Sequence, residues 1–331
     1  MKKLQEIPHI NQVTHVYYAG KPIPFRICLR STKWKTAYAA HGSDFQTVKS
    51  ANVAILTSAI EAVTELCPYL EFWTLQTGGK AYGVEFYGQP GLEYHPPLKE
   101  SSSRVIEPYA SDIFYYAQVD MLAELSKGQR WNFCEIRPDV IIGYTPRSNG
   151  IGFPQALGLY LAMYSSEKGK GAEIVFPGAD LVWKALHGDT SQDVLARFHI
   201  HASLNPDKVS QKAFNIADEA EISWKQIWPG ICSYFGLKGV GPGSGTSQEP
   251  TGIDWIMSRK DSWGGWVKQN GLQEGVLETS SWDVVGMVFV YGMFDRQFDL
   301  SASEQAGFKE NSSVVAGYHL AFDRMRKAKI I

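Results

Sequence analysis

The chain has 331 residues, 44% of them apolar and 13% aromatic, and a formal net charge of −2. That length and apolar content exclude a disordered chain and suffice for one large domain or two fused ones. The near-neutral charge excludes a polybasic surface for nucleic acid or anionic lipid, and no apolar run approaches the roughly 20 residues that a membrane span needs.

In chain order, the opening "MKKLQEIPHINQ" lacks a signal-peptide apolar stretch, which points to a soluble, cytoplasmic protein. Cys28, Cys67, Cys134 and Cys232 are scattered without a CxxC pair, so neither a disulfide frame nor a zinc site is expected. "QVTHVYYAG" (12–20) is a β-branched and aromatic run closed by glycine and predicts a buried strand. Residues 21–36, "KPIPFRICLRSTKWKT", are basic and follow no clean period. Val48, Ala51, Ile55, Ala59 and Val63 recur at helical spacing and predict a helix over 44–63. "LEFWTLQTGGKAYG" (70–83) predicts a strand ended by Gly78 and Gly79. A helix is predicted over 111–128, with a Ser/Asp cap before it and Gly128 closing it. A strand over 131–143 and a helix over 155–169 follow. Strands alternating with long helices predict parallel crossovers, hence an α/β sheet. Beyond about residue 220 the chain turns to tryptophan-rich helices, with a Gly/Ser/Pro loop at 239–252.

The adjacent Tyr115 and Tyr116 of "DIFYYAQVD" stand near the start of the predicted helix at 111–128. A phenol has a pKa near 10, so acid/base work near neutrality requires a cation or a hydrogen-bond network beside it. The position one helical turn after Tyr115 is Val119, and the next lysine is Lys127, about three turns away. Lys80 instead lies just past the end of the "FWTLQTG" strand. Ligands of open parallel sheets bind beyond the carboxyl ends of the strands, so Lys80 is expected at the rim of the site, within reach of a phenol from the next helix.

Four motifs in order, "LQTGGKAYG", "FYYAQVD", "IRPDVIIGYTP" and "KAFNIADEAEISWKQIW", resemble those of the progesterone 5β-reductase and iridoid synthase-like group of atypical short-chain dehydrogenases. The resemblance implies a Rossmann-like, mostly parallel sheet with a helical C-terminal substrate lobe, N-terminally truncated relative to the family. Residues 1–220 would then form a partial NAD(P)-binding domain with an atypical insertion at 21–36, and residues 221–331 the substrate-binding lobe. It further implies that Lys80 is the catalytic lysine and Tyr115, the first of the pair, the catalytic tyrosine. The implied cofactor is NADPH. Its contacts are expected from Ala19 and Gly20 after the first strand, Gln76 before Lys80, Ile141 after the Arg-Pro strand, and Ser148 and Asn149 in the exit loop. Ile113 stands where the family has Asn and Val119 where it has Glu, losses of polar groups that spare the proton donor.

A dinucleotide fold uses a glycine-rich turn after its first strand so that backbone N–H groups reach the pyrophosphate. Before Gly78 the sequence holds only Gly20 and Gly42, so it reads as beginning partway into the family's sheet. Removing residues 21–36 would join "HVYYAG" to "AYAAHGSDF", near the family's short connection; a retained intron opening on a Gly-Lys codon pair would account for the insertion. The later glycine clusters read otherwise: "GVGPGSG" (239–245) follows a helical segment and is a linker, and "NGIGFPQALG" (149–158) belongs to the substrate side. Tyr164 and Lys168 copy a Tyr-x-x-x-Lys spacing but close a helix away from the ligand edge. His199 and His201 of "HIH" would point to opposite faces of a strand, which is no metal site.

The expectation is an NADPH-dependent reductase of an enone or ketone on a small apolar metabolite, in specialised metabolism. Trp224, Trp228, Trp255, Trp263, Trp266 and Trp282 could wall an apolar pocket, although most of them read as core. Two alternatives stay open: a cofactor-free scaffold that binds or cyclises a small molecule, and an inactive product of an incomplete gene model. The expected partners are the small apolar substrate and a second copy of the chain, with no metal, nucleic acid or membrane.

Overall fold

The computed structural model describes residues 6–19, 45–146, 152–243, 250–310 and 312–331. The insertion at 21–36 lies outside the described residues. Contacts divide the chain into two compact units, each threaded from several segments. The first takes Met1–Pro138, Ala196–Ile216 and Asp299–Lys309; the second takes Asp139–Leu195, Ala217–Phe298 and Glu310–Ile331.

The first unit is built on β1 (His15–Tyr18), α1 (Phe45–Leu66), β2 (Phe72–Gln76), α2 (Phe114–Leu125), β3 (Asn132–Pro138), the part of α3 (Gln192–Leu204) from Ala196 onward, and β4 (Ala213–Ile216). The strands form one parallel sheet in the order β1-β2-β3-β4, as the alternation of strands and helices predicts. Tyr18 pairs with Leu75, Gln76 with Ile136 and Pro138 with Ile216, so the carboxyl ends share one edge.

Helices cover both faces, which explains why β2 reads as an almost unbroken apolar run. Trp73 and Leu75 of β2 pack with Leu56 and Ile60 of α1, Leu122 of α2 and Phe133 of β3. Burying a side chain such as Leu56 contributes about 1.5–3 kcal/mol. Between those residues, Thr74 bonds to His199 of α3.

Several boundaries differ from the sequence reading. The strand at 70–83 stops at Gln76, and the residues after Gly78 form two 3-10 turns, Gly79–Tyr82 and Val84–Phe86. The helix at 111–128 is broken: Tyr109–Asp112 is a separate turn, and α2 begins after Ile113 with no side-chain cap. Ile113 is extended (φ −84°, ψ 96°) because its side chain is buried with Ala81, Phe86 and Tyr116. The "HIH" segment is helical, within α3. The loop at 239–252 follows a short strand, Lys238–Val240, instead of a helix.

The second unit is mainly helical around one large apolar core. Phe153, Leu157 and Tyr160 of the helix Phe153–Lys168 pack there with Phe176, Trp224, Trp228 and Phe289. Trp224, Trp228, Trp255, Trp263 and Trp282 are all buried core residues. Two short parallel pairs, Ile141–Ile142 with Thr190–Ser191 and Glu173–Val175 with Lys238–Val240, complete it. Among the described residues, no helix is long and apolar enough to cross a membrane.

Candidate functional site

At the carboxyl end of β2 the chain leaves the sheet through Thr77 and Gly78 into the turn that carries Lys80. The turn hangs from buried polar partners. Thr77 Oγ1 donates to Glu135 Oε1 at 2.6 Å, and Arg137 donates to the other oxygen of Glu135 at 2.7 Å. A carboxylate in mid-strand is costly to bury unless paired and hydrogen-bonded, and these two donors meet that need. Arg137 also lies over the Tyr82 ring, 5.0 Å from its centroid. The Tyr82 hydroxyl donates to Asn215 Oδ1 at 2.7 Å, and Asn215 Nδ2 donates to the carbonyls of Leu98 and Asp299. Burial pushes the Tyr82 phenol up to about 12, against the pull of Arg137, so it serves as a fixed donor.

The phenol pair arrives on the first turn of α2. Tyr116 is buried; its hydroxyl donates to the Ala81 carbonyl at 2.7 Å and accepts from the Val105 N–H at 3.2 Å. Its proton is committed to holding the Lys80 turn, and burial raises its pKa. Tyr115 is half-buried. A Cβ built on Gly78 would stand 3.7 Å from the Tyr115 hydroxyl and 3.3 Å from the Pro138 carbonyl oxygen. The Tyr115 hydroxyl thus stands beside the backbone two residues before Lys80. Lys80 in turn pairs with Glu85, Nζ to Oε2 at 2.5 Å.

Gln76 sits on the same edge. Its Oε1 lies 3.3 Å from His199 Nε2, while His199 Nδ1 lies 2.7 Å from Thr74 Oγ1. Burial depresses the His199 pKa to about 4, so the ring is neutral near pH 7 and has one donor and one acceptor. Because a carbonyl oxygen only accepts, Nε2 carries the proton and Nδ1 accepts from the threonine hydroxyl. Ala19, exposed, follows Tyr18 and so stands level with Gln76.

Of the remaining expected contacts, Gly20, Ser148 and Asn149 lie outside the described residues. Ile141 belongs to the second unit, where it pairs with Thr190. Tyr164, also in that unit, donates to the Glu173 carbonyl. No group of His, Cys, Asp and Glu suited to a metal ion occurs among the described residues. The sequence reading missed Glu85 and Glu135, and it placed His199 on a strand instead of a helix. Glu85 stands five residues after Lys80 and was detectable as a nearby acid; the other two act across strands and helices, where no local pattern shows them.

Comparison with known proteins gives the family and the fold. A family model described as a PRISE-like Rossmann-fold domain matches residues 29–331. Short chain dehydrogenase sirQ of Leptosphaeria maculans is 33% identical over 99% of this chain and 79% of its own length. Short chain dehydrogenase ausT of Aspergillus calidoustus is 34% identical over 100% of this chain and 77% of its own. Among solved structures, the GDP-mannoheptose C4 reductase MlghC of Campylobacter jejuni, with NADP bound, is similar in fold, with a TM-score of 0.54 and 15% identity over 98% of this chain and 88% of that one.

Proposed function

This chain belongs to the PRISE-like Rossmann-fold family, and from that premise we infer that it is a short-chain dehydrogenase/reductase-type enzyme that uses NADPH to reduce an enone or ketone on a small apolar metabolite of specialised metabolism. The donor set suits the nicotinamide half of such a cofactor: an amide (Gln76) ends β2, an ammonium (Lys80) lies on the turn just after it, and a hydroxyl (Tyr115) comes from the first turn of α2 beside Gly78. Lys80 and Gln76 are the residues that would hold it there. When bound, the cofactor supplies hydride to the β-carbon of an enone or to a carbonyl carbon.

As negative charge grows on the substrate oxygen, Tyr115 donates a hydrogen bond to it and then gives up its proton. Lys80 favours both the enolate and the ionised phenol, since a nearby cation stabilises each anion. By analogy with the loss of one oxyanion-hole donor, the phenol is worth roughly 2.7–4 kcal/mol, or roughly 10²–10³ in kcat. Tyr116 is unsuited to this role, because its proton already serves Ala81. The observation that supports the reading best is the approach of the Tyr115 hydroxyl to the backbone of the lysine's own turn.

Titrating the protein with NADPH by fluorescence or calorimetry tests the cofactor, and absence of binding by folded protein would favour the cofactor-free scaffold. Tyr115→Phe is expected to lose most of the turnover of an enone panel, and a variant that keeps more than about a tenth of it sinks the donor assignment.

A further inference from the structure

Lys80 and Glu85 stand on consecutive 3-10 turns joined at Gly83, whose φ of +72° reverses the chain between them. The reversal closes a contact of 2.5 Å between side chains that are 32% and 18% exposed. Nothing in the reduction described above uses Glu85. A carboxylate so close to an ammonium does two things: it fixes where the ammonium sits, and it opposes the ammonium's field at any third group. The third group is Tyr115, whose hydroxyl lies against Gly78.

We propose that Glu85 is a positioning residue for the reaction, which rests on the reading of Lys80 and Tyr115 given above: its carboxylate anchors the Lys80 ammonium in the turn and tempers that ammonium's pull on Tyr115, so the phenol still carries its proton when substrate arrives. An unopposed ammonium would favour the phenolate, which cannot donate.

The other titratable and charged groups around this turn are settled elsewhere. The Tyr94 hydroxyl donates to the Gly83 carbonyl, and burial, followed by the charge of Glu85, pushes that phenol up to about 12. The Tyr87 ring packs on Tyr94 at 5.3 Å. Tyr116 serves Ala81 with Arg104 over its ring at 4.6 Å, and Arg104 is itself paired with Asp120. Glu135 and Arg137 neutralise each other beneath the turn.

The test uses cofactor-free protein with tyrosine labelled at Cζ, followed by carbon NMR through a pH titration. The resonance missing from Tyr115→Phe is that of Tyr115. Glu85→Gln keeps the size and an acceptor but removes the charge, and should lower that resonance's midpoint by about one pH unit. Glu85→Asp should restore the wild-type midpoint, and Lys80→Met should raise it. An unchanged signal from Tyr116, whose surroundings do not include Glu85, reports that the fold is intact. A wild-type midpoint in Glu85→Gln, with Lys80→Met still shifted, overturns the role of Glu85 and leaves the functional reading standing. No shift in Lys80→Met overturns the Lys80–Tyr115 pairing itself, and this proposal with it.

Discussion

Tyr115 and Tyr116 are adjacent in sequence, and on the function proposed above they serve different ends. Replacing Tyr116 with Phe strips the Ala81 carbonyl of its donor, and a buried acceptor left unpaired costs about 1–3 kcal/mol. Tyr116→Phe is therefore expected to lower the urea midpoint while the Tyr115 titration stays where it is; an unchanged midpoint would show that Ala81 finds another donor. The sequence could pose the choice between the two phenols but not make it. Resemblance to the family selected the first, because the deciding partner lies 35 residues upstream and meets Tyr116 only in the folded chain. His199 was misread for a related reason. "HIH" alternates like a strand over three residues, yet in α3 Ile200 is exposed while His199 is buried and bonded to Thr74.

At the scale of elements, the parallel sheet was legible because β2 and β3 carry apolar runs bounded by turn residues. The exit of β2 was not, since 3-10 turns have no strong periodic signature. Gly83 is the pivot of the β2 exit. Its φ of +72° disfavours any side chain, and a Cβ there would stand 2.8 Å from Val105 Cγ1 and 3.4 Å from the Tyr94 hydroxyl. Gly83→Ala should cost about 1–2 kcal/mol from the left-handed conformation alone, and more from the clash. Chemical denaturation measures this loss. The same variant should also weaken the Lys80–Glu85 contact and move the Tyr115 midpoint as Glu85→Gln does; if stability falls with no such movement, the two turns are held apart from Gly83. The start of α2 was misplaced because a Ser/Asp pair looks like a cap, whereas burial of Ile113 among Ala81, Phe86 and Tyr116 decides where the helix begins.

On the scale of the whole molecule, a buried group in each of the two units ties stability to pH, and the two act in opposite directions. His199, in the first, has a folded pKa of about 4, below its unfolded value near 6.5, because burial disfavours the cation. A depressed folded pKa makes the unfolded state the better proton binder, so the first unit loses stability as pH falls from about 6.5 towards 4. In the second unit, burial and then the neighbouring Asp139 raise Asp189 to about 8, and Tyr318 donates to it at 2.9 Å. A raised carboxyl makes the folded state the better proton binder between about 4 and 8, so this group's contribution falls as pH rises through that window. His187 beside it is pulled down to about 3 by burial and offsets that slope below about 6.5, which leaves the decline of the second unit between about 6.5 and 8. Hydrogen exchange should show the first unit loosening in mild acid and the second in mild alkali. Asp189→Asn, whose amide imitates the protonated acid, should abolish the alkaline decline; its persistence would mean that another group drives it. The threading of the chain has a consequence for how such a protein is made. The Tyr82 clamp on the Lys80 turn closes on Asn215, which in turn holds the Asp299 carbonyl, both supplied by late segments of the first unit. During translation, Tyr82 emerges 133 residues before Asn215, and Asn215 emerges 84 residues before Asp299, so a ribosome stalled before Asp299 would display a sheet whose lysine turn is only half fastened.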